Sequence, residues 1–476
     1  MKSKQIYSPI IPINQVFYNQ ERTEIVNWNN NLRGLELDGK ALTVFCALGF
    51  MLDDQTFYKN IKTCRPATKY KLNNNTILSS EQYWKWNYNP IDRKFSDILD
   101  EFTILLENII KSKTKNKSIL LPISGGLDSR TLFVPVKERK DLTLSSYEFE
   151  NGFHESDTSI KLSNQYKIPL YVKTIPKGYL WNKLDQIHKL NNCFTDFTHP
   201  RQVAAINDWI GLGDSVLLGH WGDVLFDKQA DSKNISYNEQ VIQLKKKIIK
   251  PGGIELANDL WKNWGLMGTF ESYLDNRLDK LYKKIKIDCP SARIRAFKSL
   301  YWAPRWTSIN LSMFKTLGEL VIPYYDDEMC KFICTVPERY LVGRKIQIEY
   351  IKKNCPEVAR LPWQKYYPLN LYQYQRFNHS HYYIIRAVRK AKRILQQYFS
   401  KSPDLIIRNW ELQFLGEQNF IELKKNLLER NKFNKLIPQT IIRKYLDKFQ
   451  TDPVQYAHPL SMLLTLAVFS DKHYSE

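Results

Sequence analysis

The chain lacks any cysteine pattern that would build a metal site or a disulfide framework. Its seven cysteines, at 46, 64, 193, 289, 330, 334 and 355, contain no Cys-x-x-Cys pair and no zinc spacing. An odd count in a chain of 476 residues fits reduced thiols in a reducing compartment. Cys330 and Cys334 stand four apart on an expected helix, which is a chance proximity rather than a ligand pair. A membrane-length apolar run is also missing, because the longest, Ala41 to Leu52, is too short to cross a bilayer. Met1-Lys2-Ser3-Lys4-Gln5 has no apolar core behind it, so no signal peptide is expected and a cytoplasmic location is. There is no internal repeat and no long low-complexity tract. No glycine-rich turn ends in Gly-Lys-Ser/Thr, which excludes a P-loop of the kinase or GTPase kind.

Acidic residues are the minority charge. With 70 Lys and Arg against 49 Asp and Glu, the formal charge is +21. Such a balance can mark a nucleic-acid or anionic-membrane surface. Here the lysines are spread along the chain, with short clusters such as Lys245-Lys246-Lys247, and Asn and Ile are abundant too. That pattern favours compositional drift over a dedicated nucleic-acid face. It still suits anionic substrates such as ATP or an acidic sugar polymer. Hydrophobic residues make up 43%, ordinary for a globular protein long enough for two or three domains.

The most informative segment is Ser124-Gly125-Gly126-Leu127-Asp128-Ser129, directly after the apolar run Ile119 to Ile123. It reads as a buried strand, a glycine turn and a helix start. Two adjacent glycines give a backbone free to adopt conformations closed to other residues and to approach a ligand closely. Amides of the turn and of the helix start then converge on an anion. Ser124 and Ser129 add hydroxyls, and Asp128 adds a carboxylate suited to a phosphate-bound magnesium ion.

Around this segment the pattern alternates. Strands are expected at 119–123, 142–149, 170–175 and 215–218, with helices from Ser129 and over 156–166 between them. This predicts an α/β fold, a parallel sheet with helices on both faces, whose ligands bind beyond the carboxyl ends of the strands. Residues 1–90 read as a small β-rich unit of short strands and turns. A helix is expected from Ile91 to Lys111, from the spacing of Phe95, Ile98, Leu99, Phe102, Leu105, Leu106, Ile109 and Ile110. The chain from about 235 onward reads as mostly helical. His458 to Phe469 looks like a buried C-terminal helix.

The Ser124–Ser129 run resembles the pyrophosphate loop of the ATP pyrophosphatases, which cleave ATP between the α- and β-phosphates. A second turn, Gly219-His220-Trp221-Gly222-Asp223, followed by Leu225-Phe226, resembles the Gly-x-Gly-x-Asp-Glu-x-Phe segment of asparagine synthetases. Further likenesses follow in that family's order: Phe57 to Ile61, Tyr83-Trp84, Pro323-Tyr324-Tyr325-Asp326, Val336-Pro337 with Lys345, and Pro356 to Trp363. The resemblance implies an adenine nucleotide alpha hydrolase-like fold over 91–370. A truncated, glutaminase-like β-rich remnant over 1–90 and a helical region over 371–476 would flank it. It implies ATP and Mg²⁺ as cofactors. Ser124, Gly125, Gly126, Leu127, Asp128, Ser129, Gly219 and Gly222 would cradle the nucleotide, Asp128 and Asp223 would hold the metal, and Lys345 would act on the α-phosphate.

Two departures stand out. The family's N-terminal glutaminase uses a cysteine directly after the initiator methionine, where this chain has Lys2. Ammonia or another amine would therefore come from solution or a separate donor. The family's glutamate after Asp223 is Val224, and its second loop glycine is Trp221. His154, Glu155 and His220 are the candidate replacements for the missing base, a histidine near pH 7 being suited to the task. Arg130, in the first turn of the expected helix, is poorly placed against the helix dipole unless a phosphate or acidic substrate offsets it. Asp326 reads best as a helix cap.

The expected activity is an ATP-dependent carbon–nitrogen ligase that activates a carboxylate as an acyl-adenylate and transfers it to an amine. Its partner is a carboxylate-bearing small molecule, sugar or peptide. Specialised relatives of the resembled family act in surface-polysaccharide clusters or as lasso-peptide cyclases, which cyclise a peptide. An RNA-modifying ATP pyrophosphatase and a non-catalytic binding protein on a decayed enzyme scaffold are the remaining alternatives.

Overall fold

A computed structural model of the chain describes residues 4–28, 32, 34–150, 156–378, 388, 391 and 411–473. The N-terminal part is a six-stranded antiparallel sheet: β1 (Lys4–Ser8), β2 (Phe17–Asn19), β3 (Glu24–Val26), β4 (Ile61–Thr63), β5 (Thr68–Asn73) and β6 (Thr76–Gln82). They lie in the order β1-β5-β6-β3-β2-β4. The turn Asn73-Asn74-Asn75 joins β5 to β6, and Asn74 takes the left-handed conformation that asparagine tolerates. The apolar run at 41–52 is helical at its start. Helix α1 (Gly39–Leu48) is capped by Asp38, whose side chain accepts from the Ala41 amide. Gly49 ends it at φ 78°.

Helix α2 (Phe95–Lys113) leads into the second sheet, with its apolar stripe buried at Ile98, Leu99, Phe102, Leu106, Ile109 and Ile110. That sheet contains β7 (Ile119–Pro122), β8 (Leu142–Phe149), β9 (Leu170–Ile175), β10 (Ser215–Leu217) and β11 (Glu319–Val321), all parallel, in the order β11-β10-β7-β8-β9. The runs 142–149 and 170–175 coincide with the strands expected from sequence. Helices α3 (Leu127–Phe133) and α4 (Asp157–Tyr166) connect β7 to β8 and β8 to β9. From central β7 the chain proceeds to one side, then returns to build β10 and β11 on the other. The order therefore reverses between β7 and β10, and an open sheet leaves a crevice at such a point.

Helices fill most of the remaining described chain. Among them is a ten-residue π-helix, Lys298–Thr307, which contains Pro304. The C-terminal helix Pro453–His473 is buried from Ala457 to Ser470 and longer than the sequence pattern suggested. It packs on the N-terminal part: the Phe57 and Phe469 rings stack with centroids 4.0 Å apart. One continuous cluster of buried side chains joins Ile10, Leu120 and Phe469. Among the described residues no helix is long and apolar enough to cross a membrane.

Candidate functional site

The crevice between β7 and β10 is a cavity of about 520 Å³. Ser124, Gly126, Asp128 and Ser129 line it from the end of β7, and Gly219, His220, Trp221 and Asp223 from the end of β10. Strand β8 contributes Ser145, Ser146 and Tyr147. The two sequence motifs are thus brought together, although 90 residues of chain separate their neighbourhoods.

The first turn is held by its own side chains. The Ser124 amide donates to Ser129 Oγ at 3.2 Å, and the Gly126 amide donates to Ser124 Oγ at 3.3 Å. Neither glycine adopts a left-handed φ. Close approach, not backbone freedom, is what they supply. A Cβ on Gly125 would meet Gln364 Cβ at 3.0 Å, where the Gln364 amide donates to the Gly125 carbonyl at 3.1 Å. Leu127 is buried and serves the core beneath the turn.

Glycines of the second turn are fixed by Asp128. A Cβ on Gly219 would stand 2.9 Å from the Asp128 carbonyl carbon, and one on Gly222 would stand 2.8 Å from its carboxyl carbon. Trp221 between them has φ 81° and ψ −4°. A left-handed tryptophan costs roughly 1–3 kcal/mol. It is held there by burial and by an indole N–H bond to Ser299 Oγ at 3.0 Å. The position at which the resembled family has glycine is therefore one whose backbone favours glycine.

Burial raises Asp128 above the ordinary carboxylate range and Asp223 pushes the same way, while Arg344 opposes both. Arg344 forms an ion pair with Asp128 Oδ1, and Gln347 Nε2 donates to the same oxygen at 3.0 Å. Gln347 also donates to Tyr324 Oη at 2.7 Å. Arg344 is itself left-handed, φ 64°, next to Gly343 at φ 69°. That backbone aims the guanidinium at Asp128 and sends the next side chain away from it. Lys345 is exposed, with Nζ 4.4 Å from the Phe95 ring centroid. The structure does not bring Lys345 to the cavity; the cation at Asp128 is Arg344.

His220 lines the cavity, and its Nδ1 has no hydrogen-bond partner among the described residues. Burial lowers it to about 4, against the pull of Asp223. It is a neutral imidazole, not a group poised near pH 7. Val224 is buried and contributes only its carbonyl, which accepts from Arg295 Nε at 3.2 Å. His154 and Glu155 lie outside the described residues.

Arg130 corrects the substrate expectation attached to it. It is fully buried and donates to the carbonyls of Leu361, Gly125 and Pro362. Backbone oxygens, not a ligand, receive its guanidinium, and the 361–364 segment is thereby tied to the first turn. Asp326 caps the following helix, accepting from the Glu328 amide at 3.0 Å, as its sequence context predicts. Cys330 and Cys334 form a local pair in which the Cys334 thiol donates to the Cys330 carbonyl at 3.2 Å. Among the described residues no group of three His, Cys, Asp or Glu is placed to hold a metal.

Three further contributors carry little sequence signal. Gln364 follows the Pro362-Trp363 likeness, and Gln347 sits three residues beyond Arg344. Arg201, half-buried at the cavity, donates to Tyr147 Oη at 2.9 Å. No protein-family model matches the chain, and no curated protein matches it.

Proposed function

We propose that the chain is an ATP-dependent, amide-forming ligase of the asparagine synthetase type, built on an adenine nucleotide alpha hydrolase-like sheet. The observation that carries the reading is the convergence of the Ser124–Ser129 and Gly219–Asp223 turns on one cavity at the strand-order reversal, with the Asp223 charge acting on Asp128. Open α/β sheets bind nucleotides at such a point.

The donor set fits the implied magnesium. Two carboxylates suit an ion that keeps several waters and takes further oxygens from phosphate. The raised Asp128 carboxyl, half-buried and acted on by Asp223, is the kind of group a divalent cation would relieve. When bound, the ion would neutralise charge on the departing pyrophosphate.

In this reading a substrate carboxylate oxygen attacks the α-phosphate of ATP. A new O–P bond forms and the bond to the β-phosphate bridging oxygen breaks. Ser124 and Ser129 hydroxyls and the turn amides hold the pyrophosphate, and Arg344 moves from Asp128 to the same charge. An amine then attacks the acyl carbon and AMP leaves. Once the C–N bond forms, the nitrogen becomes strongly acidic, so neutral His220 at the cavity wall is basic enough to take its proton. The oriented donors carry the catalysis, with each worth about a hundredfold or more.

The test is pyrophosphate and AMP release from ATP and Mg²⁺ across a panel of acids, including uronic acids and peptides. Release should require the acid and disappear in Asp128→Ala and Asp223→Ala. Failure of the wild type to bind ATP ends the reading.

A further inference from the structure

Beside Trp221 the protein builds a row in which indole rings alternate with lysines. Lys298 Nζ lies 5.8 Å from the Trp221 ring centroid and 5.1 Å from that of Trp302. Lys250 Nζ lies 5.6 Å from Trp302 and 5.4 Å from Trp306. Lys298, Trp302 and Trp306 stand four apart within the π-helix, which sets them along one side. Trp221 enters from the strained turn of the cavity and Lys250 from the chain after residue 248.

The row holds more donors than acceptors. Neither lysine forms an ion pair with a described residue, and the indole N–H groups of Trp302 and Trp306 have no described partner. Lys298 donates to Gln229 Oε1 at 3.1 Å and is acted on by the Asp223 charge. Asp196, which acts on Lys250 through its charge, is hydrogen-bonded to His199 and Thr198. Burial lowers Lys298 to about 8 and lowers Lys250 as well, so both ammonium groups gain from an anion. Trp302, Trp306 and Lys250 are partly exposed, which leaves the row open to a ligand.

We propose that this row seats the carboxylate substrate, and that the substrate is an anion with several acceptor oxygens, an acidic sugar or a dicarboxylate. The assignment rests on the ligase reading, and the row meets that reading's cavity at Trp221, which lines it. A zwitterionic amino acid fits poorly, because the row offers its ammonium two like charges. An oligonucleotide fits less well than a small anion, since Trp302 and Trp306 cross at 68° and form no parallel platform.

Calorimetric titration of the full chain with galacturonate, succinate, galactose, aspartate and oligothymidylate tests this without turnover. Galacturonate or succinate should bind, the tighter of the two naming the source, and galactose and aspartate should not. Lys250→Glu should weaken the acid about tenfold or more and Lys250→Arg should retain it, hydrogen bonds to charged groups being of that size. A thermal melt of both variants separates misfolding from lost affinity. The proposal is overturned if neither acid binds, if galactose or aspartate binds as well, if oligothymidylate displaces the acid, or if a folded Lys250→Glu binds the acid unchanged. A fluorescent ATP analogue titrated into the same samples reports on the nucleotide reading separately. Acid binding without ATP binding ends that reading and leaves the anion site standing without its role as the ligase's substrate seat.

Discussion

Gly222 lies directly under Asp128, so close that a Cβ at 222 would stand 2.8 Å from the carboxyl carbon. The two candidate phosphate turns are therefore in contact through a glycine and an aspartate. Gly222→Ala should push Asp128 out of place at a cost of about 1–3 kcal/mol. We expect a lower melting temperature and loss of acid-dependent pyrophosphate release. An alanine variant with wild-type melting and turnover would show that the turns do not need this contact.

Arg344 and Lys345 are neighbours with opposite prospects. Arg344 contacts Asp128, whereas Lys345 stands over Phe95 outside the cavity. Arg344→Ala should lower pyrophosphate release by about a hundredfold or more. Lys345→Ala should change it by less than about threefold, since exposed substitutions rarely matter. Steady-state kinetics on both variants decide it, and the reverse ranking would return the role to Lys345.

These two residues also show where sequence reading stops. The strand–turn–helix at 119–133 and the strands 142–149 and 170–175 are legible because apolar runs and turn residues are local signals. Which of two adjacent cations reaches Asp128 depends on left-handed backbone at Gly343 and Arg344, and no composition pattern marks an arginine in that conformation. Trp221 carries the same difficulty. The π-helix is equally silent, since its hydrogen bonding departs from the 3.6-residue period by which helices are recognised. Arg130 was visible as an anomaly, but two of its three partners are carbonyls more than 230 positions away.

Acid should destabilise the protein through its buried imidazoles. His458 is pulled down to about 4 by burial, although its bond to the Cys46 carbonyl at 2.8 Å works against the shift, and His220 is held at a similar value. Between about pH 6.5 and 4 the unfolded chain binds protons at these sites that the folded chain does not, so stability falls as pH falls. Each contributes up to roughly 3 kcal/mol across that window, as an order of magnitude. Melting temperature measured from pH 7 to 4 should decline, and His458→Asn should flatten part of the slope. An unchanged slope in that variant would remove His458 from the account.

Arg130 should set the position of the first turn more than it sets substrate choice. Its guanidinium is buried, lowered by that burial to about 10, and still cationic at neutral pH. It joins the Gly125 carbonyl to those of Leu361 and Pro362, while the Gln364 amide returns a bond to Gly125. Arg130→Lys keeps a charge but cannot reach three carbonyls with one planar fork, and Arg130→Met takes the guanidinium from all three, leaving Gly125 only the Gln364 amide. Losing buried partners of this kind costs about 1–3 kcal/mol per unsatisfied group. Both variants should unfold at lower urea, with methionine the worse, and both should expose the 361–378 segment to limited proteolysis. Because the clamp holds the turn without lining the cavity, the Arg130→Lys variant should lose ATP affinity in proportion to that exposure. It should still prefer the same acid as the wild type. A changed acid preference with an intact 361–378 segment would mean that Arg130 reads the substrate after all.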